Sequence, residues 1–395
     1  MSRSNIRQNL TPICAPVTRP EPISGNPDIP NTGDIALKIT SHEVLVVNVP
    51  MDAPLMGRTS SPHIILKLRT DDGIEGIGWA FLGGPMGDGL VKALDSMAEL
   101  LHGEDPTMRE QIDRIVDAAT FGSGPGLSHY VRAVINFAVW DITGKSVGQP
   151  VWKLLGGAHA ESVTTYASGW LWRDYDLNAL EKTAGELVER GFTSMKFRCG
   201  AEARMSDEAE RARVMRAAVG DDITLMVDIN QGWDIPRAIE GARHFEAQNV
   251  YWLEDPIDHR DVQGYTQLVN ATDIAITHGE YNYGYEPFGP IADHRAADIF
   301  MIDAHHVGGI DAWKKAADIA IAAFRPFVTH LSPEIAVHLA AGINGVKTVE
   351  FMPWSFNLWE NPMEINAAGE LIVPQGPGLG VTLNEDLVKS NRTDA

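Results

Sequence analysis

The chain has 395 residues, and its 53 Asp and Glu against 32 Lys and Arg give a formal net charge of −21 at pH 7. A surface this acidic repels nucleic-acid phosphates and anionic lipids, so we expect neither nucleic acid nor a membrane as a partner. The hydrophobic share of 44% and the charged share of 22% are typical of a folded globular protein.

Residues 1–35 are rich in Pro, Ser, Asn and Thr and show no hydrophobic periodicity, which predicts a flexible N-terminal arm. The arm contains no apolar run of signal-peptide quality, and no window in the chain approaches the roughly 18 apolar residues of a membrane span. The two cysteines, Cys14 and Cys199, lie far apart, which argues against a disulfide framework. We therefore expect a cytoplasmic protein.

Residues 36–160 combine strand and helix patterns and predict an α+β domain. Alternating apolar runs flank the dipeptide Asp72-Gly73, which is typical of a β-hairpin turn. Between residues 91 and 144, apolar residues repeat at intervals of three and four, which predicts helices. We interpret residues 51–61 and 81–89 as loops; the second is Gly-rich, typical of a mobile lid and equally of a plain surface turn.

From residue 162 to about residue 351, short strand-like runs alternate with amphipathic helical stretches. The predicted strands are 162–166, 194–198, 223–228, 250–254, 274–279, 298–303, 327–330 and 347–351. Eight strands, each followed by a helix, favour a parallel (β/α) barrel, with a doubly wound open sheet as the alternative. In a barrel the C-terminal ends of all strands converge on one site, so the residues at those ends carry the functional information.

Two successive predicted strands end in the acidic residues Asp228 and Glu254, and the next strand runs directly into Glu280. Three carboxylates converging on one point repel each other unless a hard divalent cation lies between them. Ligands that are all oxygen select Mg²⁺, with Mn²⁺ as a possible substitute, over Zn²⁺. In the alternative interpretation, each acid caps the helix that follows it or is solvated in a loop.

Charged residues also mark the other strand ends. Lys196 and Arg198 are two residues apart on the second strand, so both are expected to point into the barrel, where they suit a substrate carboxylate or balance buried acids. Asp303 and His330 end strands six and seven. An Asp beside a His orients the imidazole and raises its basicity, as a general base requires. Strand eight contributes Glu350.

Several short motifs occur in a fixed order: AVWDITGK from Ala138, DINQ from Asp228, EDP from Glu254, Gly279-Glu280, Asp303-Ala304, and GPGLGV from Gly376. In this order and spacing the chain resembles the enolase superfamily, specifically its mandelate racemase subgroup, over nearly everything after the arm. The resemblance implies a (β/α)7β modified TIM barrel at 161–364. It also implies an N-terminal α+β capping domain at 36–160, completed by about 365–395.

The resemblance also implies roles at the site. Asp228, Glu254 and Glu280 would hold Mg²⁺, and His330 with Asp303 would form the acid/base pair. The residues that would contact the enolate region are Glu350 and Asn230. The chain departs from the racemase pattern at Arg198, where the racemase has a second basic lysine. Because a guanidinium is rarely neutral, Arg198 is a poor base and a good anion clamp, which places racemisation by two opposed bases in doubt.

These residues lead to the hypothesis of a Mg²⁺-dependent dehydratase of a sugar acid, an aldonate or an aldarate. A base removes the proton α to the carboxylate, the β-hydroxyl leaves through an enediolate, and the product is a 2-keto-3-deoxy acid. His330 can serve in both steps, and Lys196 is a second candidate for proton transfer. The alternatives are a racemase, epimerase or cycloisomerase with the same enediolate chemistry, and a non-catalytic barrel that binds sugar acids.

Two further residues are candidates for substrate contact. Arg58, in the first capping loop, would meet a distal carboxylate or hydroxyl, and Tyr166, on the first barrel strand, would line the pocket. The expected partners are thus a small-molecule sugar acid and further copies of the chain in a homo-oligomer.

Overall fold

The computed structural model describes residues 37–55 and 57–393, so the predicted arm and Cys14 lie outside the described residues. The described part begins with an antiparallel sheet of β1 (Ile39–Leu55), β2 (Arg58–Thr70) and β3 (Glu75–Phe81). The predicted turn at Asp72-Gly73 joins β2 to β3, with Gly73 at a φ of 87° that glycine adopts without strain. Residues 51–61 are therefore mostly strand, and Arg58 begins β2 rather than lying in a loop.

Four helices follow the sheet: α1 (Gly84–Leu100), α2 (Arg109–Ala119), α3 (Leu127–Ser146) and the short α4 (Val151–Leu155). The helix α3 packs against β3 so closely that a Cβ on Gly78 would lie 1.9 Å from the carbonyl oxygen of Val134. The prediction of a loop at 81–89 was wrong for most of that segment, because α1 begins at Gly84. This sheet and its helices form the cap.

Eight parallel strands alternate with seven helices after the cap. The strands are β5 (Thr165–Ala167), β6 (Ser194–Arg198), β7 (Thr224–Asp228), β8 (Val250–Glu254), β9 (Ala275–His278), β10 (Ile299–Asp303), β11 (Phe327–His330) and β12 (Val349–Phe351). The helices are α5 (Leu177–Glu189), α6 (Met205–Val219), α7 (Ile235–Glu246), α8 (Val262–Ala271), α9 (Phe288–Asp293), α10 (Ile310–Ala322) and α11 (Pro333–Gly342). The predicted (β/α)7β barrel is confirmed.

The strands pair in sequence order from β5 to β11, and β12 pairs with β5. A bridge between Phe327 and Val346, just before β12, brings the two ends of the sheet together. The barrel interior is filled by Tyr166, Met226, Trp252, Ile299, Met301 and Val328. This packed layer closes the barrel below its C-terminal mouth, the end at which β5 to β12 finish.

The chain returns to the cap after β12. A 3₁₀ helix (Pro353–Leu358) leads to β13 (Leu371–Ile372), which pairs with the short β4 (Ser162–Val163), and then to α12 (Glu385–Asn391) and β14 (Arg392–Thr393). The strand β14 pairs with β1 at the edge of the cap sheet. Among the described residues, no helix combines the length and apolar character needed to cross a bilayer.

Candidate active site

The strand register brings the predicted polar residues to one level at the C-terminal mouth. Arg198 of β6 pairs with Asp228 of β7, and Asp228 pairs with Glu254 of β8. On the opposite side, Asp303 of β10 pairs with His330 of β11. Because parallel strands in register finish together, residues far apart in sequence share one site.

The three acids predicted to bind metal are almost fully buried, with exposures of 2% for Asp228, 0% for Glu254 and 3% for Glu280. Burial raises the pKa of Glu254 to about 7; Lys196 opposes this shift and Asp228 adds to it. Burial also raises the pKa of Glu280 well above its usual range; His330 opposes this shift, and Glu254 and Asp228 add to it. The carboxylates therefore lie close enough to repel each other, and ionising all of them requires compensating positive charge.

Hydrogen bonds hold the carboxylates of Asp228 and Glu254 in place. Both carboxylate oxygens of Asp228 accept from Asn230, at 2.7 Å from its backbone N and at 2.9 Å from its Nδ2. Trp252 Nε1 donates to Glu254 Oε2 at 2.9 Å. By contrast, Glu280 Oε2 is buried and makes no hydrogen bond to any described residue, although His330 Nε2 lies 3.1 Å away. A buried carboxylate oxygen without a well-directed hydrogen bond is the kind of atom that a metal ion satisfies.

The donor set fits a hard divalent cation, although its atoms are not arranged as a finished site. Within residues 37–55 and 57–393, no three His, Cys, Asp or Glu side chains already form a metal-binding group. Instead, Lys196 Nζ contacts Glu254, and His330 Nε2 lies 3.1 Å from Glu280 Oε2. The assignment of Asp228, Glu254 and Glu280 as metal ligands stays a prediction, supported by oxygen-only donors and the raised pKa values.

His330 and Asp303 form a directed pair. Asp303 Oδ2 accepts a 2.6 Å hydrogen bond from His330 Nδ1, while Asp303 Oδ1 accepts from the backbone N atoms of His305 and His306. These contacts hold the carboxylate still and leave His330 Nε2 facing the site. Burial alone would lower the pKa of His330, but Glu280 and then the other nearby acids raise it to about 10.

The two cations of β6 lie on the inner side of the barrel. Lys196 is 1% exposed, and Glu254 and Glu350 raise its pKa well above its usual range although burial alone would lower it, so the side chain is an ammonium ion in this arrangement. The guanidinium of Arg198 lies 3.6 Å from Asp228 Oδ2 and donates to the carbonyl of Ser168 at 2.8 Å.

Glu350 links both cations to the His330 side. Its Oε1 lies 3.0 Å from Lys196 Nζ and accepts from Ser168 Oγ at 2.6 Å, and its Oε2 accepts from the backbone N of Leu331 at 2.8 Å. Burial alone would raise the pKa of Glu350, but Lys196, His330 and Arg198 lower it to about 2. This carboxylate is therefore a fixed negative charge between the two sides of the site.

The structure places the two predicted substrate contacts differently. Tyr166 is fully buried in the barrel interior, with Lys196 Nζ 5.5 Å from its ring centre, and its phenol oxygen has no hydrogen-bond partner among the residues that the structure describes. Arg58 is exposed at the tip of the β1–β2 hairpin. That hairpin contacts the 3₁₀ helix, where Asn357 Nδ2 donates to the carbonyl of Pro50 at 2.9 Å. Both roles stay predictions.

Sequence reasoning missed the segment after β5. Ser168 binds both Glu350 and Arg198, Trp172 lies over the Arg198 guanidinium at 3.8 Å, and Arg173 Nη2 donates to Asn230 Oδ1 at 2.5 Å. The only available signal was the aromatic and charged run GWLWRD after a predicted strand end.

Comparison with known proteins decides the family. Residues 36–156 match the family described as "Mandelate racemase / muconate lactonizing enzyme, N-terminal domain", and residues 179–387 match "Enolase C-terminal domain-like". The chain belongs to the enolase superfamily, in its mandelate racemase subgroup. These matches cover the cap of this superfamily member and its barrel from α5 onward.

Relatives of this superfamily member include dehydratases of sugar acids. It is 31% identical over 323 residues to L-talarate/galactarate dehydratase of Salmonella typhimurium, which covers 82% of this chain and 80% of the relative. It is 26% identical over 381 residues to D-galactarolactone cycloisomerase of Agrobacterium fabrum, covering 90% and 99%. The crystal structure of L-talarate dehydratase from Polaromonas sp. JS666, complexed with Mg and L-glucarate, superposes with a TM-score of 0.83 at 31% identity, covering 91% and 98% of the chains.

Proposed function

We propose that this enolase-superfamily member is a Mg²⁺-dependent hydro-lyase that dehydrates a sugar acid to a 2-keto-3-deoxy acid. The observation that carries the proposal is the arrangement of His330 Nε2, directed by Asp303 and facing Glu280 at 3.1 Å, opposite the cations Lys196 and Arg198. The sugar-acid dehydratases among its relatives support the same reaction class.

The residues divide the chemistry between two sides of the site. Bound Mg²⁺ would offset most of the charge of the three carboxylates and polarise the substrate carboxylate as negative charge develops on it. Lys196 and Arg198 would hold that carboxylate from the other side, since both are donors that remain charged. Trp172, stacked on Arg198, shields the guanidinium from water on one face.

His330 would carry the proton. Its Nε2 takes the proton from the carbon α to the carboxylate, and the resulting imidazolium then donates that proton to the β-hydroxyl as the C–O bond breaks and water leaves. The enol that remains tautomerises to the keto acid. Because Glu280 raises the pKa of His330, this carboxylate has to be engaged elsewhere for Nε2 to accept a proton.

The test is a panel of aldonates and aldarates incubated with the enzyme and Mg²⁺, with 2-keto acid measured as its semicarbazone. We expect product from at least one member, none after EDTA, and recovery when Mg²⁺ or Mn²⁺ is restored. A panel without any keto acid would contradict the proposal.

A second candidate function is isomerisation by the same proton abstraction, favoured by the similarity to a cycloisomerase over nearly the whole chain. Incubation in D₂O distinguishes the two functions. Incorporation of deuterium at the α-carbon without loss of water would favour an epimerase or cycloisomerase.

A further inference from the structure

Arg173 is a cation at the barrel mouth that no acid neutralises. In the described part of the chain it has no carboxylate within 4.0 Å, whereas Lys196 and Arg198 each lie near two. Its one hydrogen bond runs from Nη2 to Asn230 Oδ1, and its Nε is buried without a partner. A half-buried guanidinium with unused donors is a site for an anion, because its desolvation is otherwise uncompensated.

The segment that carries Arg173 is held rigidly. Leu171 precedes it with a φ of 59°, a left-handed conformation that is costly for a leucine. The buried side chain of Arg211 fixes the backbone on both sides, donating to the carbonyl of Trp172 at 3.1 Å and to that of Tyr175 at 2.7 Å. These contacts hold the backbone at Arg173 in place, and the hydrogen bond to Asn230 orients its guanidinium.

That place is next to the predicted metal ligands. Asn230 connects the two, accepting from Arg173 and donating to Asp228 Oδ2 at 2.9 Å and to Tyr281 Oη at 3.2 Å. Because Lys196 and Arg198 are the cations assigned to the first carboxylate in the proposed function, Arg173 is the cation of this group that remains for a second anionic group.

We propose that Arg173 binds the second carboxylate of a dicarboxylic sugar acid, so that the substrate is an aldarate and not an aldonate. The guanidinium fork matches a carboxylate with two parallel hydrogen bonds, whereas the primary alcohol of an aldonate offers one uncharged oxygen. The inference rests on the proposed function and specifies its substrate class.

The experiment compares pairs of substrates that differ only at the far terminus, galactarate with galactonate and glucarate with gluconate. For the wild type we expect a higher kcat/KM for the diacid of the productive pair. Arg173→Gln should lower kcat/KM for the diacid by about 10- to 100-fold, chiefly through KM, and change the monoacid value by less than about threefold. Arg173→Lys should retain an intermediate diacid preference.

Arg213→Gln serves as the matched control, because Arg213 is exposed and pairs only with Glu210 on the outer face of α6. Equal melting temperatures of the wild type and Arg173→Gln would show that the variant folds. A wild-type preference for the monoacid overturns the proposal. Equal losses on both acids overturn it too, since Arg173 would then act only by positioning Asn230. The proposal is also overturned if Arg58→Gln, and not Arg173→Gln, loses the preference for the diacid.

Binding separates this inference from the dehydratase proposal. Calorimetric titration of His330→Asn with galactarate and galactonate in Mg²⁺ measures the diacid preference without turnover, and adding Arg173→Gln should remove it. If the wild type dehydrates neither acid but this preference is present, the dehydratase proposal fails and the role of Arg173 stands. If His330→Asn binds both acids equally, the role of Arg173 fails.

Discussion

The imidazole of His338 connects the cap to the barrel and makes their junction sensitive to acid. It is fully buried in α11, accepts a hydrogen bond at Nδ1 from the backbone N of Trp152 at 3.2 Å, and donates from Nε2 to the carbonyl of Leu379 at 2.9 Å. Only a neutral ring with its proton on Nε2 makes both bonds. Burial lowers its pKa from 6.5 to about 4.

The direction in which stability changes with pH follows from proton uptake by His338. Between pH 6.5 and pH 4 the unfolded chain binds a proton at His338 and the folded protein does not, so stability present above pH 6.5 is lost as the pH falls toward 4. Relative to its value at neutral pH, the free energy of unfolding should be lower by about 2 kcal/mol at pH 5 and by about 3 kcal/mol at about pH 4.

The assay is urea unfolding from pH 4.5 to 7.5, followed by tryptophan fluorescence in EDTA so that the metal site does not contribute. His338→Gln is the test variant, because its amide can accept from Trp152 and donate to Leu379 but does not titrate. The wild type should lose about 2 kcal/mol more than the variant between pH 7 and pH 5. His294→Gln, at an exposed position, should behave like the wild type. Parallel pH curves for wild type and His338→Gln would refute the reasoning.

Three further variants test the proposed site. Glu254→Gln removes a predicted metal ligand and should abolish activity together with its dependence on Mg²⁺, measured by titrating Mg²⁺ into the EDTA-treated enzyme; near-normal Mg²⁺ activation would contradict that assignment. His330→Asn should lower kcat by at least about 10²-fold while calorimetry still detects Mg²⁺ binding, and substantial activity would move the acid/base role to Lys196. Ser168→Ala removes hydrogen bonds to Glu350 and Arg198 and should lower kcat about tenfold with unchanged Mg²⁺ affinity; an unchanged kcat would show that these bonds do not matter.

The barrel strands could be predicted from the sequence because they are buried on both faces. Runs such as 194–198, 250–254 and 327–330 are short and carry apolar residues at most of their inner positions, and the observed strands have these same limits. The first strand was less regular. It was predicted at 162–166, but the chain forms β4 with β13, passes Thr164, and then enters the barrel as β5.

The beginning of α1 could not be predicted, because Gly87, within the Gly-rich run, serves packing and not flexibility. Gly87 is buried, and a Cβ there would lie 2.6 Å from the carbonyl oxygen of Leu82. Pro85 in the first turn is compatible with a helix start. A Gly-rich run is typical of a loop only when no neighbouring backbone requires the missing side chains, and that requirement is a property of the tertiary structure.

The strand-end acids and the His330–Asp303 pair were found because each ends a recognisable strand. Ser168 and Arg173 were not, because they lie in an irregular segment whose backbone is set by contacts from distant Arg211. No local periodicity indicates which side chain of such a segment faces the site. Residues of this kind distinguish one substrate from another within a shared barrel, which is why substrate class is harder to predict than reaction class.

Local charge, not the net charge of −21, explains how an acidic protein would accept an acidic substrate. Each cation at the mouth lies between two acids: Lys196 between Glu254 and Glu350, Arg198 between Asp228 and Glu350, and His330 between Asp303 and Glu280. Five carboxylates and three cations leave two negative charges, which one divalent cation would offset. Burial, together with the neighbouring carboxylates, raises the pKa values of Glu254 and Glu280, so a bound divalent cation would favour their ionised forms. Arg173 lies outside this balance, so its positive charge would remain available for the second carboxylate of the substrate.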